Sequence, residues 1–172
     1  NVGGSKSGSP PRGYFPPHGK ISGLESVNDN EYLTDTLTNE TIEFIKENSQ
    51  TQWLAYLSHF SVHTPIQAKK KDILKFESKA PGTLHNHVIM AAMIKAVDDG
   101  VGKIISVLEE LKIKERTVVI FYSDNGGYGP ATSMSPLKGY KGTYYEGGIR
   151  VPFFVNWPKV VAAESRCSTP IT

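Results

Sequence analysis

Residues 117–122 read Thr-Val-Val-Ile-Phe-Tyr, β-branched or aromatic throughout, and stop abruptly at Ser123-Asp124-Asn125-Gly126-Gly127. A run of this composition fits a pleated surface covered on both faces, so it predicts a buried strand. The strand follows the clearest helical pattern in the chain. Between Val88 and Lys112, the residues Met90, Met93, Val97, Val101, Ile104, Leu108 and Leu111 recur at spacings of three and four. Asp99 and Lys103 stand four apart on the opposite side and are expected to pair. Gly100 and Gly102 interrupt this helix at about 1 kcal/mol each relative to alanine, which predicts close packing against a neighbour.

Other elements arrange themselves around this pair. Residues 1–30 are rich in Gly, Ser and Pro and predict an irregular arm or loop. Asn28, three residues before Glu31, signals a helix start, and Leu33, Leu37, Phe44 and Ile45 share one face over about 31–47. Trp53-Leu54-Ala55-Tyr56-Leu57 is a short apolar run of strand length, expected to be buried on both sides. Residues 59–87 form a long connection carrying His59, His63, His85 and His87. Arg150-Val151-Pro152-Phe153-Phe154-Val155-Asn156 predicts a third strand. Strand, helix, strand, loop, strand is an α/β pattern with a mainly parallel sheet flanked by helices.

Composition narrows the functional classes. Lys and Arg number 19 against 17 Asp and Glu, a net charge of +2, too small and scattered to argue for nucleic acid or a membrane surface. The basic run Lys69-Lys70-Lys71 is followed at once by Asp72 and reads as a solvated helix end. No stretch approaches the run of about 18 apolar residues that a membrane helix needs. With one cysteine, Cys167, no disulfide forms within the chain.

Several residues carry chemistry. Asp124 and Asn125 follow a strand's carboxyl end, where ligands bind in open α/β sheets, and offer hard oxygen donors suited to Ca²⁺ or Mg²⁺. Asp-Asn-Gly is equally common turn chemistry. His63, in Val62-His63-Thr64-Pro65, lies on a loop beyond the first strand and can act as a general acid near neutral pH; an exposed loop histidine is the plainer reading. Lys141 sits among glycines that let backbone approach a ligand, and presents a point charge to a tetrahedral oxyanion. Lys138, three residues earlier, competes for that role. Glu146 and Arg150 read as an ion pair holding the loop. His85 and His87 form an H-x-H pair without a third zinc ligand at sensible spacing.

Taken together, His-x-Pro after one strand, Asp-Asn-Gly-Gly after the next, and Lys-Gly-Thr-x-Tyr-Glu-Gly-Gly-x-Arg-x-Pro before the third resemble the sulfatase family, within the alkaline-phosphatase-like superfamily. The resemblance runs from about Gly13 to Val160 and takes in Glu31-Tyr32-Leu33-Thr34-Asp35 and Val97-Asp98-Asp99-Gly100-Val101-Gly102. It implies an alkaline-phosphatase-like fold and a hydrolase of sulfuric esters that uses a formylglycine nucleophile and a bound Ca²⁺, rather than Mg²⁺. Under it, Asp124 and Asn125 match metal ligands, Lys141 the lysine that contacts the sulfate, and His63 the histidine that protonates the departing alcohol. The implied substrate is a sulfated small molecule or glycan, and the implied location periplasmic or secreted.

The family's Cys/Ser-x-Pro-x-Arg nucleophile motif is absent. Cys167-Ser168-Thr169-Pro170 places proline one position late, and Ser9-Pro10-Pro11-Arg12 brings arginine one position early. The first pair of metal-ligating aspartates is missing too. The chain therefore reads as an internal piece, an arm at 1–30 and a partial catalytic domain at 31–172, with formylglycine expected upstream and the piece alone inactive. Two alternatives stand beside this reading: a phosphate or phosphonate ester hydrolase of the same superfamily, and a non-catalytic truncated relative.

Overall fold

The computed structural model of the protein describes residues 10, 12–18, 21–24 and 31–170. Its elements are helix α1 (Leu33–Asn48), helix α2 (Lys70–Glu77), helix α3 (Val88–Glu110), a 3₁₀ turn (Lys114–Arg116), strand β1 (Val119–Tyr122), helix α4 (Glu146–Ile149) and strand β2 (Phe153–Asn156).

Helices α1 and α3 pack against each other because each presents a buried stripe. On α3 the stripe runs through Met90, Ala92, Met93, Ala96, Gly100, Val107 and Leu108. Three of these are small, so the helices approach closely, and the larger Val97, Val101 and Ile104 are only half-buried. A Cβ on Gly100 would meet Thr38 Oγ1 at 2.6 Å, so the expected close packing is present there. At Gly102 it is not, since nothing lies within 4 Å. Asp99 pairs with Lys95, one turn towards the N-terminus, rather than with Lys103. Lys95 also faces the buried Asp72 of α2 at 3.6 Å, which draws it to that side of the helix. Asn28, the expected start signal of α1, lies outside the described residues, and Tyr32 occupies the cap position without a side-chain bond.

The helix α2 lies within the stretch that periodicity assigned to a loop. Its Asp72 is buried, 3.6 Å from both Lys69 and Lys95, so the acid enters the interior between two cations. Lys69 also reaches Asp35 of α1 at 2.5 Å and is mostly covered, unlike a solvated helix end. Lys70 and Lys71 remain exposed.

Two core clusters result. One joins Tyr14, Leu33, Leu37, Ala92, Met93 and Ala96, with Leu57, Phe60, Val62 and Ile66 packed against it. The other joins Ile42, Ile45, Val107, Leu108 and Ile113, with Trp53 and Val119 against it. Fully burying a side chain such as Leu33 or Leu108 contributes about 2 kcal/mol. Among the described residues of the N-terminal arm, Tyr14, Ile21 and Leu24 are buried core residues, not a solvated loop.

The sheet departs from expectation. Among the described residues it has two strands, and β1 pairs with β2 antiparallel, Val119 opposite Asn156 and Tyr122 opposite Phe153. A parallel return needs a crossover, usually a helix of a dozen residues or more. Here the connection holds only the four-residue α4 and folds back on itself, which brings β2 alongside β1 in the opposite sense. The strand expected to be buried has Ile120 52%, Phe121 39% and Tyr122 49% exposed. Residues 53–57 are extended but join no ladder. Trp53 and Leu57 face the two cores while Leu54 and Tyr56 point outward, so one face is buried rather than both.

Candidate active site

Directly beyond β1, the Ser123 hydroxyl donates to the Asn125 carbonyl at 2.8 Å and closes a tight turn. This leaves Asp124 exposed and Asn125 half-buried at the strand's carboxyl end. The following glycines meet the Lys141 loop backbone to backbone. Gly126 N donates to Gly148 O at 2.9 Å, Lys141 N to Gly127 O at 2.9 Å, and Gly147 N to Lys138 O at 2.8 Å. No side chain fits in this seam: a Cβ on Gly126 would lie 1.9 Å from Gly147 O, and one on Gly148 2.1 Å from Thr143 O. The seam makes Asp124, Asn125 and Lys141 parts of one unit.

Within that unit the two lysines differ. Lys138 Nζ lies 4.0 Å from the centroid of the Tyr145 ring, a cation–π contact. Lys141 is half-buried and stands between Gly139 and Gly142, both at positive φ. Glu146 and Arg150 approach to 3.5 Å, but their side chains are 64% and 67% exposed, so the pair adds little. Glycine contacts hold the loop instead.

His63 stands on a separate loop. Its Nδ1 lies 3.1 Å from the Thr64 carbonyl and 3.2 Å from the Thr64 hydroxyl, so the ring is held along its Nδ1 edge. The single Tyr14 hydroxyl proton is shared between Phe60 O at 2.6 Å and His63 O at 2.9 Å, and Tyr32 donates to Gln67 O at 2.8 Å. The Ser61 and Thr34 hydroxyls meet at 2.5 Å. His59 is a different kind of histidine. Its Nδ1 is buried without a hydrogen-bond partner, and burial pushes the imidazole down to about 4, so it stays neutral at pH 7.

The two loops are linked through their supporting segments. The Tyr56 hydroxyl lies close enough to the Tyr122 phenol to raise it above its ordinary value. His85 Nδ1 lies 3.2 Å from Thr132 Oγ1, and His87 Nδ1 accepts from Met90 N to cap α3. The two histidines of the H-x-H pair thus serve different partners.

The donor chemistry of Asp124 and Asn125, one carboxylate and one carboxamide, fits a single hard cation. None of the ion pairs among the described residues engages Asp124. Among the described residues, no three or more His, Cys, Asp or Glu side chains gather into a metal-sized group.

Sequence reasoning missed Tyr14, Tyr32, Thr34 and Ser61. The bonds from Tyr14 span 46 and 49 residues, and no local period signals a contact at that range.

The family model described as Sulfatase matches residues 5–170. A protein named Sulfatase from Formosa agariphila is 36% identical over 146 residues, covering 78% of this chain and 26% of that one. Human steryl-sulfatase is 32% identical over 147 residues, covering 80% and 24%. The crystal structure of Ps i-CgsB in complex with k-i-k-neocarrahexaose superposes with a TM-score of 0.76 at 36% identity, over 88% of this chain and 33% of that one. The chain spans about a quarter of the length of the curated relatives it matches.

Proposed function

The chain belongs to the sulfatase family, and from that premise we propose that the protein hydrolyses sulfuric esters, with Lys141, His63, Asp124 and Asn125 in its active site. The observation that carries the reading is the glycine seam, which ties two oxygen donors and a half-buried lysine into one unit at the end of β1. Lys141 binds a sulfate oxygen and offsets the charge that develops as the ester bond lengthens. His63 gives a ring proton to the departing alkoxide, with its Nδ1 edge held beside Thr64. Asp124 and Asn125 would be among the oxygen donors to a divalent cation, Ca²⁺ in preference to Mg²⁺, because a carboxylate beside a neutral amide suits a flexible oxygen shell. When bound, that cation neutralises sulfate charge. Formylglycine, from a Cys/Ser-x-Pro-x-Arg motif outside these 172 residues, supplies the nucleophile.

The substrate we favour is a sulfated glycan. Support comes from Ps i-CgsB, whose crystal structure holds a neocarrahexaose. A cleft of about 560 Å³ in the segment preceding Lys141 mixes the hydroxyls of Thr132, Ser133 and Ser135 with the apolar Met134, Leu137 and the Tyr140 ring, a lining that can take both the hydroxyls and the apolar face of a sugar. The catalytic domain takes in residues 31–172, preceded by the arm at 1–30, and its sheet becomes mainly parallel once further strands cover β1 and residues 53–57. The exposed apolar side chains of both segments support that addition. Membership of the family favours a periplasmic or secreted enzyme.

The test is sulfate release by the full-length protein from sulfated oligosaccharides and from a steroid sulfate, with mass spectrometry of its nucleophile peptide. Formylglycine together with faster glycan desulfation supports the reading. An unmodified peptide with no sulfate released overturns it.

A further inference from the structure

A loop that must deliver a proton to one atom has to hold its histidine to within a fraction of an ångström, and residues 58–69 contain no regular element to do this. The support comes from outside. Tyr14, wholly buried, shares its one hydroxyl proton between the carbonyls on either side of the Ser61-Val62 step, Phe60 at 2.6 Å and His63 at 2.9 Å. Its backbone N–H donates to Gln67 Oε1 at 3.0 Å, and its ring stacks on Tyr32 with centroids 5.5 Å apart. Tyr32 in turn holds Gln67 O, and Thr34 holds Ser61. The loop is therefore gripped before, at and after His63 by three residues of the arm and the α1 start.

We infer that Tyr14 is a positioning residue for His63: its hydroxyl fixes the His63 backbone so that the imidazole meets the leaving oxygen. This rests on the assignment of His63 as general acid. The hydroxyl remains a donor throughout the working pH range, since burial pushes the phenol well above its ordinary value. A phenylalanine at 14 keeps the stacked ring and removes only the bond.

The experiment compares Tyr14→Phe and His63→Ala, singly and together, in the full-length protein on two esters. One is an alkyl sulfate, whose alkoxide must be protonated; the other is 4-nitrophenyl sulfate, whose phenolate leaves without help. We expect Tyr14→Phe to lower kcat on the alkyl ester about tenfold, with KM and the nitrophenyl reaction nearly unchanged, because misplacing an acid costs rate only where acid is needed. Added to His63→Ala, it should cost nothing more. Equal loss on both esters, a change in KM alone, or full additivity in the double variant would overturn the inference. If His63→Ala itself slows both esters alike, the acid assignment beneath the inference falls, which the paired esters separate from a failure of Tyr14. Should Tyr14→Phe not fold, Ser61→Ala removes the partner of Thr34 and must show the same selectivity, or the clamp has no catalytic role.

Discussion

Gly126 and Gly147 meet so closely that a Cβ on the first would stand 1.9 Å from the carbonyl oxygen of the second. Both partners are backbone, so neither can swing aside. Replacing Gly126 with alanine forces the two loops apart at the point where Asp124 and Lys141 are joined. We expect Gly126→Ala to cost about 2 kcal/mol or more in stability and to open residues 123–150 to limited proteolysis. Gly142→Ala has open space around it and only an unfavourable φ to overcome, so about 1 kcal/mol is expected. Equal protease sensitivity in the two variants would remove the seam as an explanation.

Lys138 and Lys141 separate by function. Lys141→Ala should lower kcat/KM by about 10²-fold or more with the fold intact, as loss of a charge aimed at the transition state does. Lys138→Ala loses a contact to the Tyr145 ring worth about 0.5–1 kcal/mol and should leave turnover near the parent value. Steady-state kinetics alongside thermal unfolding decide between them, and a reversed pattern reassigns the sulfate contact.

The two glycines of α3 should move stability in opposite directions. Gly100→Ala drives a methyl into Thr38 Oγ1, itself held by its bond to Thr34 O at 2.8 Å, and should destabilise by about 1–3 kcal/mol. Gly102→Ala meets nothing and should stabilise by about 0.5–1 kcal/mol through helix propensity. Denaturant midpoints read both.

His59 makes stability pH-dependent. Its folded value of about 4 lies below the ordinary 6.5, so between these the unfolded chain binds a proton that the folded chain does not. Stability is full above 6.5 and declines as pH falls towards 4, by up to about 3 kcal/mol. Urea unfolding at about pH 7.5 and pH 5 should show this slope, and His59→Gln should flatten it.

How legible each part was depends on the range of the forces that shape it. Helices α1 and α3 were readable because the periods of their apolar residues are local, although Ala92, Ala96 and Gly100 form part of the true stripe and a reading weighted to large side chains passes over them. The Asp124–Gly127 and Lys141–Arg150 motifs were readable because glycine patterns report backbone approach directly. Helix α2 was not: eight residues, three of them lysines, carry too little apolar signal, and its place depends on Asp72 meeting Lys95 of α3 and Lys69 meeting Asp35 of α1. The antiparallel pairing of β2 was equally hidden, since it depends on how thirty residues of loop fold back. So was the choice of Lys95 over Lys103 by Asp99, which Asp72 on a neighbouring helix biases.

The ribbon of β1 and β2 carries Ile120, Phe121, Phe153 and Phe154 into solvent, each at least 39% exposed, beside Leu54 at 88%. The helical core needs none of them to be complete. A nascent chain that had folded only this far would therefore be a client for holdase chaperones, greasy on one flank and native on the other. Studied by itself at high concentration, it would bind a hydrophobic dye and drift into oligomers through that flank, while its helices kept their native circular dichroism.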